Sequence, residues 1–230
     1  MGLDKKPFII HKDLLCHYSI YFKKAFNGEF REAAESLVEL VDTDTTTFGV
    51  IVDWLYTQRV PDENGEWAQS STQQGLNKEE LQDPYSTILT SVYIFADRFD
   101  MPQLRAATLE KLYTRYTAGG VPWYETIMMA FENLPATSPL LLFYLHLYVY
   151  RWDEGSDGPE EIEMRDRLPN EFWMRWALTS SVARREDAEA GAPYMTDPCT
   201  YHQHANEEEK KGCKKRYEQV KEAATVSKGH

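Results

Sequence analysis

The sequence predicts an α+β fold that is mainly helical: a helical cluster with a small sheet, followed by a helical C-terminal extension. Three observations predict it. Apolar residues recur at helical spacing in one segment after another. Only two short apolar segments, Phe8–Ile10 and Leu37–Val41, suit strands. Hydrophobic residues make up 42% and aromatics 13% of 230 residues, enough to core one large domain or two small ones.

The elements follow in chain order. After the first strand, His11–Cys16 is a helical turn leading into a second helix. There Tyr18, Phe22, Ala25 and Phe26 share a face. Asn27-Gly28 ends it, with glycine expected in a left-handed cap. Asp44 caps the next helix by accepting from a free backbone N–H. Its apolar stripe is Phe48, Ile51, Val52, Leu55 and Tyr56. Asp62–Pro84 is polar and reads as an insert, either a recognition loop or, as its composition favours, a solvated linker. Ser86–Phe99 is helical, and Pro102 opens the next helix, where a missing N–H costs little. Gly119-Gly120 closes that helix. Further helices are expected at Trp123–Asn133, Pro139–Trp152 and from Pro169 to about residue 184. The acidic, Gly-containing stretch Asp153–Glu163 reads as a mobile loop. From Glu186 onward the chain is charged, with little to bury. The expected domains are residues 1–118 with an insert at about 62–84, a helical extension 119–185, and a charged tail 186–230.

Composition narrows the function. The net charge is −12 and the pI about 5.0. Such a surface repels phosphates, so a nucleic acid partner is not expected. The longest apolar run, Leu140–Tyr150, is far short of the roughly 20 residues of a membrane span, so no membrane partner is expected either. Three cysteines without tight spacing make a poor disulfide framework and suit a reducing compartment. The N-terminus lacks a signal peptide, and Lys6 breaks the myristoylation pattern after Gly2. A cytoplasmic or nuclear location follows as an expectation.

Two motifs carry a family resemblance. The first is His11-x-x-Leu14-Leu15-Cys16-x-x-Ser19-x-Tyr21-Phe22. The second is Tyr93-Ile-Phe-Ala-Asp-Arg-Phe-Asp-Met-Pro-Gln-Leu104. With Phe48–Tyr56 between them, their order and spacing resemble a BTB/POZ domain over about Pro7–Tyr116, closest to short fungal-type BTB proteins with a polar insert. The resemblance implies a helical cluster flanked by a small mixed sheet, a protein-interaction role and no catalytic site. Family members open with one or two further strands, one of which is exchanged in the dimer. Only six residues precede Pro7 here, so a homodimer of this chain would lack that strand.

Phe30-Arg31-Glu32 resembles the hydrophobic-x-Glu element by which BTB adaptors contact a cullin scaffold. An exposed aromatic would supply anchor area and the carboxylate would meet a basic surface. The alternative is that Phe30 packs back on the domain. Met128, Met129 and Phe131 would either line a wider contact groove or, as their spacing favours, form core. Cys199, His202, His204 and Cys213 form Cys-x2-His-x-His-x8-Cys in a segment without a core. These ligands are competent for a structural zinc ion, the one cofactor the sequence suggests, although the spacing matches no standard finger. Cys16 beside His17 reads as a buried structural thiol rather than a nucleophile with its base. His11, at a strand end, caps or packs. Lys210–Arg216 is a basic cluster, read as an import or anion patch or as a solvated helix face beside Glu207–Glu209. No phosphate loop, Gly-x-Ser-x-Gly elbow or His-Glu-x-x-His appears. The leading expectation is therefore a non-enzymatic adaptor for a cullin-type ubiquitin ligase. A self-associating or transcription-associated module is the alternative.

Overall fold

In the computed structural model, which describes residues 7–62, 83–183, 191–201 and 206–215, helix begins at Lys12. Helices α1 (Lys12–Tyr18) and α2 (Ile20–Asn27) are separated by one extended residue, Ser19. Its hydroxyl accepts from Phe22 N at 3.0 Å, which starts α2. The same hydroxyl donates to the Phe99 carbonyl at 2.6 Å. Ile20 N donates to Asp100 O at 3.2 Å. These bonds join the two motifs that lie far apart in sequence.

Helix α3 (Arg31–Glu35) is short and buries nothing. Helix α4 (Thr45–Thr57) starts at Asp44, whose Oδ1 accepts from Thr46 N at 2.9 Å and Thr47 N at 2.8 Å. Its buried face is Thr47, Val50, Ile51, Trp54 and Leu55. The expected stripe is thus rotated, and Tyr56 faces outward to meet His11. The His11 backbone N–H donates to the Tyr56 hydroxyl at 3.3 Å, and its Nδ1 lies 2.8 Å from that hydroxyl. Helices α5 (Pro84–Arg98) and α6 (Pro102–Ala118) form the antiparallel pair that the second motif encodes. Between them Asp100 takes a left-handed conformation with φ 49°.

The core of this part is aromatic. Phe22 stacks on Phe99 at 5.1 Å with planes 6° apart, and Phe95 lies 4.2 Å from Phe99. Phe48 meets Phe95 edge-on at 5.9 Å, and Phe8 meets Phe48 at 4.9 Å. Trp54, Leu89, Val92, Leu104 and Leu112 are fully buried around them.

The small sheet expected from Phe8–Ile10 and Leu37–Val41 is not formed: the described residues contain no strand. Both segments still alternate in burial, with Ile9, Leu37 and Val41 outward. Strand assignment needs a hydrogen-bonded neighbour, and a side-chain pattern alone does not supply one.

The chain divides into two compact units, Met1–Ala118 with Glu132–Leu134, and Gly119–Phe131 with Pro135–His230. The boundary lies at Gly119-Gly120, where Gly120 has φ 79°, a conformation glycine adopts without strain. In the second unit, helices α7 (Tyr124–Asn133), α8 (Pro139–Arg151) and α10 (Asn170–Ala183) supply the core. Helix α8 is apolar nearly all round, burying Leu140, Leu141, Phe143, Tyr144, Leu145, Leu147 and Tyr148. Among the described residues no helix is long and apolar enough to cross a membrane.

Two expectations need correction. Asp153–Glu163 is ordered: it holds a 3-10 turn (Glu154–Ser156) and the start of α9 (Pro159–Met164). Asp157 organises it with a side chain only 3% exposed. Its carboxylate accepts from Tyr124 Oη at 2.6 Å, Trp152 Nε1 at 2.9 Å and Arg165 Nε at 2.7 Å. A buried carboxylate so satisfied orders the loop despite its polar composition. Nor is the tail without a core. Helix α11 (Pro193–Thr196) and the 3-10 turn Pro198–Tyr201 bury Tyr194 and Tyr201. Both rings pack on Phe143, at 6.3 and 5.2 Å.

Candidate partner-docking surface and the C-terminal thiol pair

Phe30 is the N-cap residue of α3 and its side chain is 61% exposed. One edge of its ring rests against Gly28 at the end of α2, and the rest is open to solvent. Its carbonyl accepts from Ala33 N at 3.0 Å, starting the helix. Arg31 is exposed, and its Nε lies 3.3 Å from Glu35 Oε2. Glu32 is half-buried in the first turn, where a carboxylate is favoured by the helix dipole. Arg31 is thus engaged along its own helix while Phe30 faces solvent.

Gly28 sets this geometry, though not as the sequence suggests. The expected left-handed cap is absent: Gly28 has φ −91° and ψ −167°, an extended conformation open to any residue. Its requirement is space. A Cβ there would stand 2.8 Å from the Lys24 carbonyl and 2.9 Å from the Phe30 ring. The missing side chain is what lets the Phe30 ring lie against the end of α2.

Other candidates separate. Cys16 is half-buried and its Sγ lies 3.7 Å from the Phe22 carbonyl. Burial pushes its thiol upward, opposed by Lys12. The His17 ring meets Tyr18 edge-on at 4.6 Å. That environment holds a protonated structural thiol rather than an activated nucleophile. Met128 and Met129 are half-buried, and Phe131 packs edge-on against Phe172 at 5.5 Å. Of the basic cluster, Lys210–Lys215 lies on a helical segment, residues 207–215, beside exposed Glu207–Glu209. Lys214 Nζ reaches Asp197 Oδ2 at 3.6 Å. Arg216 lies outside the described residues.

Of the four zinc-competent residues, His202 and His204 also lie outside the described residues. Cys199 and Cys213 are described, reduced and half-buried. Their thiols are hydrogen-bond partners. Burial first, then the charge and hydrogen bond of Cys213, push the Cys199 thiol up to about 11. Among the described residues, no three His, Cys, Asp or Glu side chains converge to hold a metal.

The BTB/POZ domain model matches residues 2–116, half of the chain. The chain belongs to the BTB/POZ family. The BTB domain makes it a protein–protein interaction module, and BTB domains also mediate dimerisation. Its match spans α1 to α6, which includes Phe30–Glu32 and both motifs stitched by Ser19. A similar protein is the BTB/POZ and MATH domain-containing protein 5 of Arabidopsis thaliana, 28% identical over 100 residues. That alignment covers 44% of this chain and 23% of the plant protein. No solved structure matches. For two residues that the sequence reading names, the tertiary contact that gives the role is not legible in the sequence. Ser19 and Gly28 act through contacts with Phe99 and Phe30, and neither makes a periodic signal.

Proposed function

We propose that this BTB protein is an adaptor that docks a cullin-type ubiquitin-ligase scaffold through Phe30 and Glu32. The observation that carries this reading is Phe30 itself. A large aromatic stands 61% exposed at a helix start, beside a glycine whose missing Cβ makes room for it. Exposed aromatics with a neighbouring carboxylate are typical interface anchors. Net charge −12 favours a basic partner surface. The plant relative's name pairs a BTB/POZ domain with a MATH domain.

The test is direct binding of purified chain to cullin N-terminal regions. Loss of a central anchor costs about 2 kcal/mol or more, so Phe30→Ala with Glu32→Ala weakens binding at least about tenfold. Circular dichroism of the variant stays native, because neither side chain is in the core. No affinity of the intact chain for any cullin N-terminal region rejects the adaptor reading.

A second reading, self-association, is favoured by one observation. Ile9, Leu37 and Val41 point outward from two extended segments that pair with no strand among the described residues.

A further inference from the structure

We propose that Cys199 and Cys213 form a reversible disulfide that fastens the helical residues 207–215 to the turn Pro198–Tyr201. The turn is a fixed support. Tyr201 is 1% exposed, its ring packs on Phe143 at 5.2 Å, and its hydroxyl lies 2.7 Å from His146 Nδ1. Pro198 is buried with it. Cys199 N donates to Asp197 Oδ1 at 3.2 Å, so the residue that bears the first sulfur is itself held.

Residues 207–215 meet this turn at Asp197 and at Cys199. Lys214 Nζ lies 3.6 Å from Asp197 Oδ2, and the Cys213 thiol is a hydrogen-bond partner of the Cys199 thiol. Both side chains of the ion pair are half-exposed, so salt screens it and it holds the segment weakly. None of residues 207–215 is buried. The segment can therefore shift with little loss of packing, and sulfurs already in contact close to the roughly 2 Å of a disulfide bond. Both cysteines are half-buried rather than sealed in a core, which leaves them within reach of a small solute.

The oxidant is a small-molecule disulfide such as oxidised glutathione. The thiolate of one cysteine attacks it, forms a mixed disulfide and expels one glutathione thiolate. The thiolate of the second cysteine attacks the protein sulfur of that mixed disulfide and expels the other glutathione. The protein pair gives up two electrons, the glutathione disulfide takes them, and the two thiol protons end on two glutathione thiols. Burial and the neighbouring Cys213 push the Cys199 thiol up to about 11, so Cys199 rests as a thiol at neutral pH and its exchange quickens as pH rises. Cys16 supplies the contrast: it lies on α1, and its Sγ is 3.7 Å from the Phe22 carbonyl.

Full-length chain is equilibrated near neutral pH in buffers of graded oxidised-to-reduced glutathione ratio, folded or unfolded in urea. It is then alkylated and read by peptide mass spectrometry. The folded chain should give a Cys199–Cys213 cross-linked peptide at a ratio at least about tenfold lower than the unfolded chain, because the fold already holds the two thiols together. Cys16 should stay open to alkylation, Cys16→Ser should keep the cross-link at the same ratio, and dithiothreitol should restore both thiols. The same ratio for folded and unfolded chain overturns the proposal. So does a glutathione mixed disulfide at either cysteine in place of the cross-link, or pairing of either one with Cys16.

Discussion

A single hydroxyl, Ser19 Oγ, shows what one residue can hold. It accepts the Phe22 N–H in the first turn of α2 and donates to the Phe99 carbonyl, linking the start of the BTB unit to its second motif. Ser19 is 1% exposed, so water cannot replace either bond. Ser19→Ala should cost about 1–3 kcal/mol, the desolvation penalty of orphaned buried groups plus the lost cap. Urea denaturation measures it, with Ser86→Ala as comparison because that buried serine caps no helix. Equal midpoints for the two variants would dismiss the stitching role. Asp44 is a simpler case. Its capping function was legible in the sequence because a cap needs only local geometry: a short carboxylate one residue before a helix. Ser19 has a cap-like side too, but its second bond spans eighty residues of chain and no local pattern announces it.

At the scale of elements, the docking of residues 191–201 on α8 carries a pH dependence. His146 on α8 is largely buried, and burial holds its pKa below the ordinary value of 6.5. The neutral ring therefore belongs to the folded state, beside the Tyr201 hydroxyl. A depressed folded value means the unfolded chain takes up the proton first as pH falls. The His146 contribution is complete above about 6.5 and is lost as pH drops through the lower folded value. Stability should thus fall between about pH 7.5 and 5.5, and His146→Gln should flatten that dependence. Equilibrium denaturation at the two pH values checks it, and an unchanged slope in the variant would exclude His146 as the cause. Tyr124 behaves in the opposite sense. Burial, then the Asp157 carboxylate, raise its hydroxyl, so its contribution is present at neutral pH and lost only in strong alkali. The elements also show where periodicity succeeds. Helices α4, α5, α6 and α8 have enough apolar positions to be read directly. The loop around Asp157 does not, because its order comes from partners contributed by Tyr124, Trp152 and Arg165.

For the whole molecule, the question is what the exposed apolar residues of the BTB unit meet. Ile9 is 99% exposed, and Leu37 and Val41 are more than half exposed. If self-association covers them, light scattering of the intact chain should give a dimer mass, and Ile9→Lys with Val41→Lys should return a monomer. A monomer at all concentrations would remove the self-association reading and leave the Phe30 surface as the contact to pursue. The two tests are separable because Phe30 begins α3, whereas Ile9 and Val41 lie on the extended segments.

The BTB/POZ family, the helical character, the Asp44 cap and the candidate anchor Phe30-Arg31-Glu32 were legible in the order of residues. Each of these is written in residues close together in the chain, as periodicity, capping chemistry or motif spacing. It took the tertiary structure to reveal that Phe30 is exposed, that Gly28 serves by lacking a Cβ, and that the segments read as strands are not assigned as strands among the described residues. It alone brought Cys199 to Cys213 and buried Asp157. The physical reason is common to all of them. Burial, pairing and close approach are properties of segments that meet in space, and a local pattern records the residue but not the neighbour it will find.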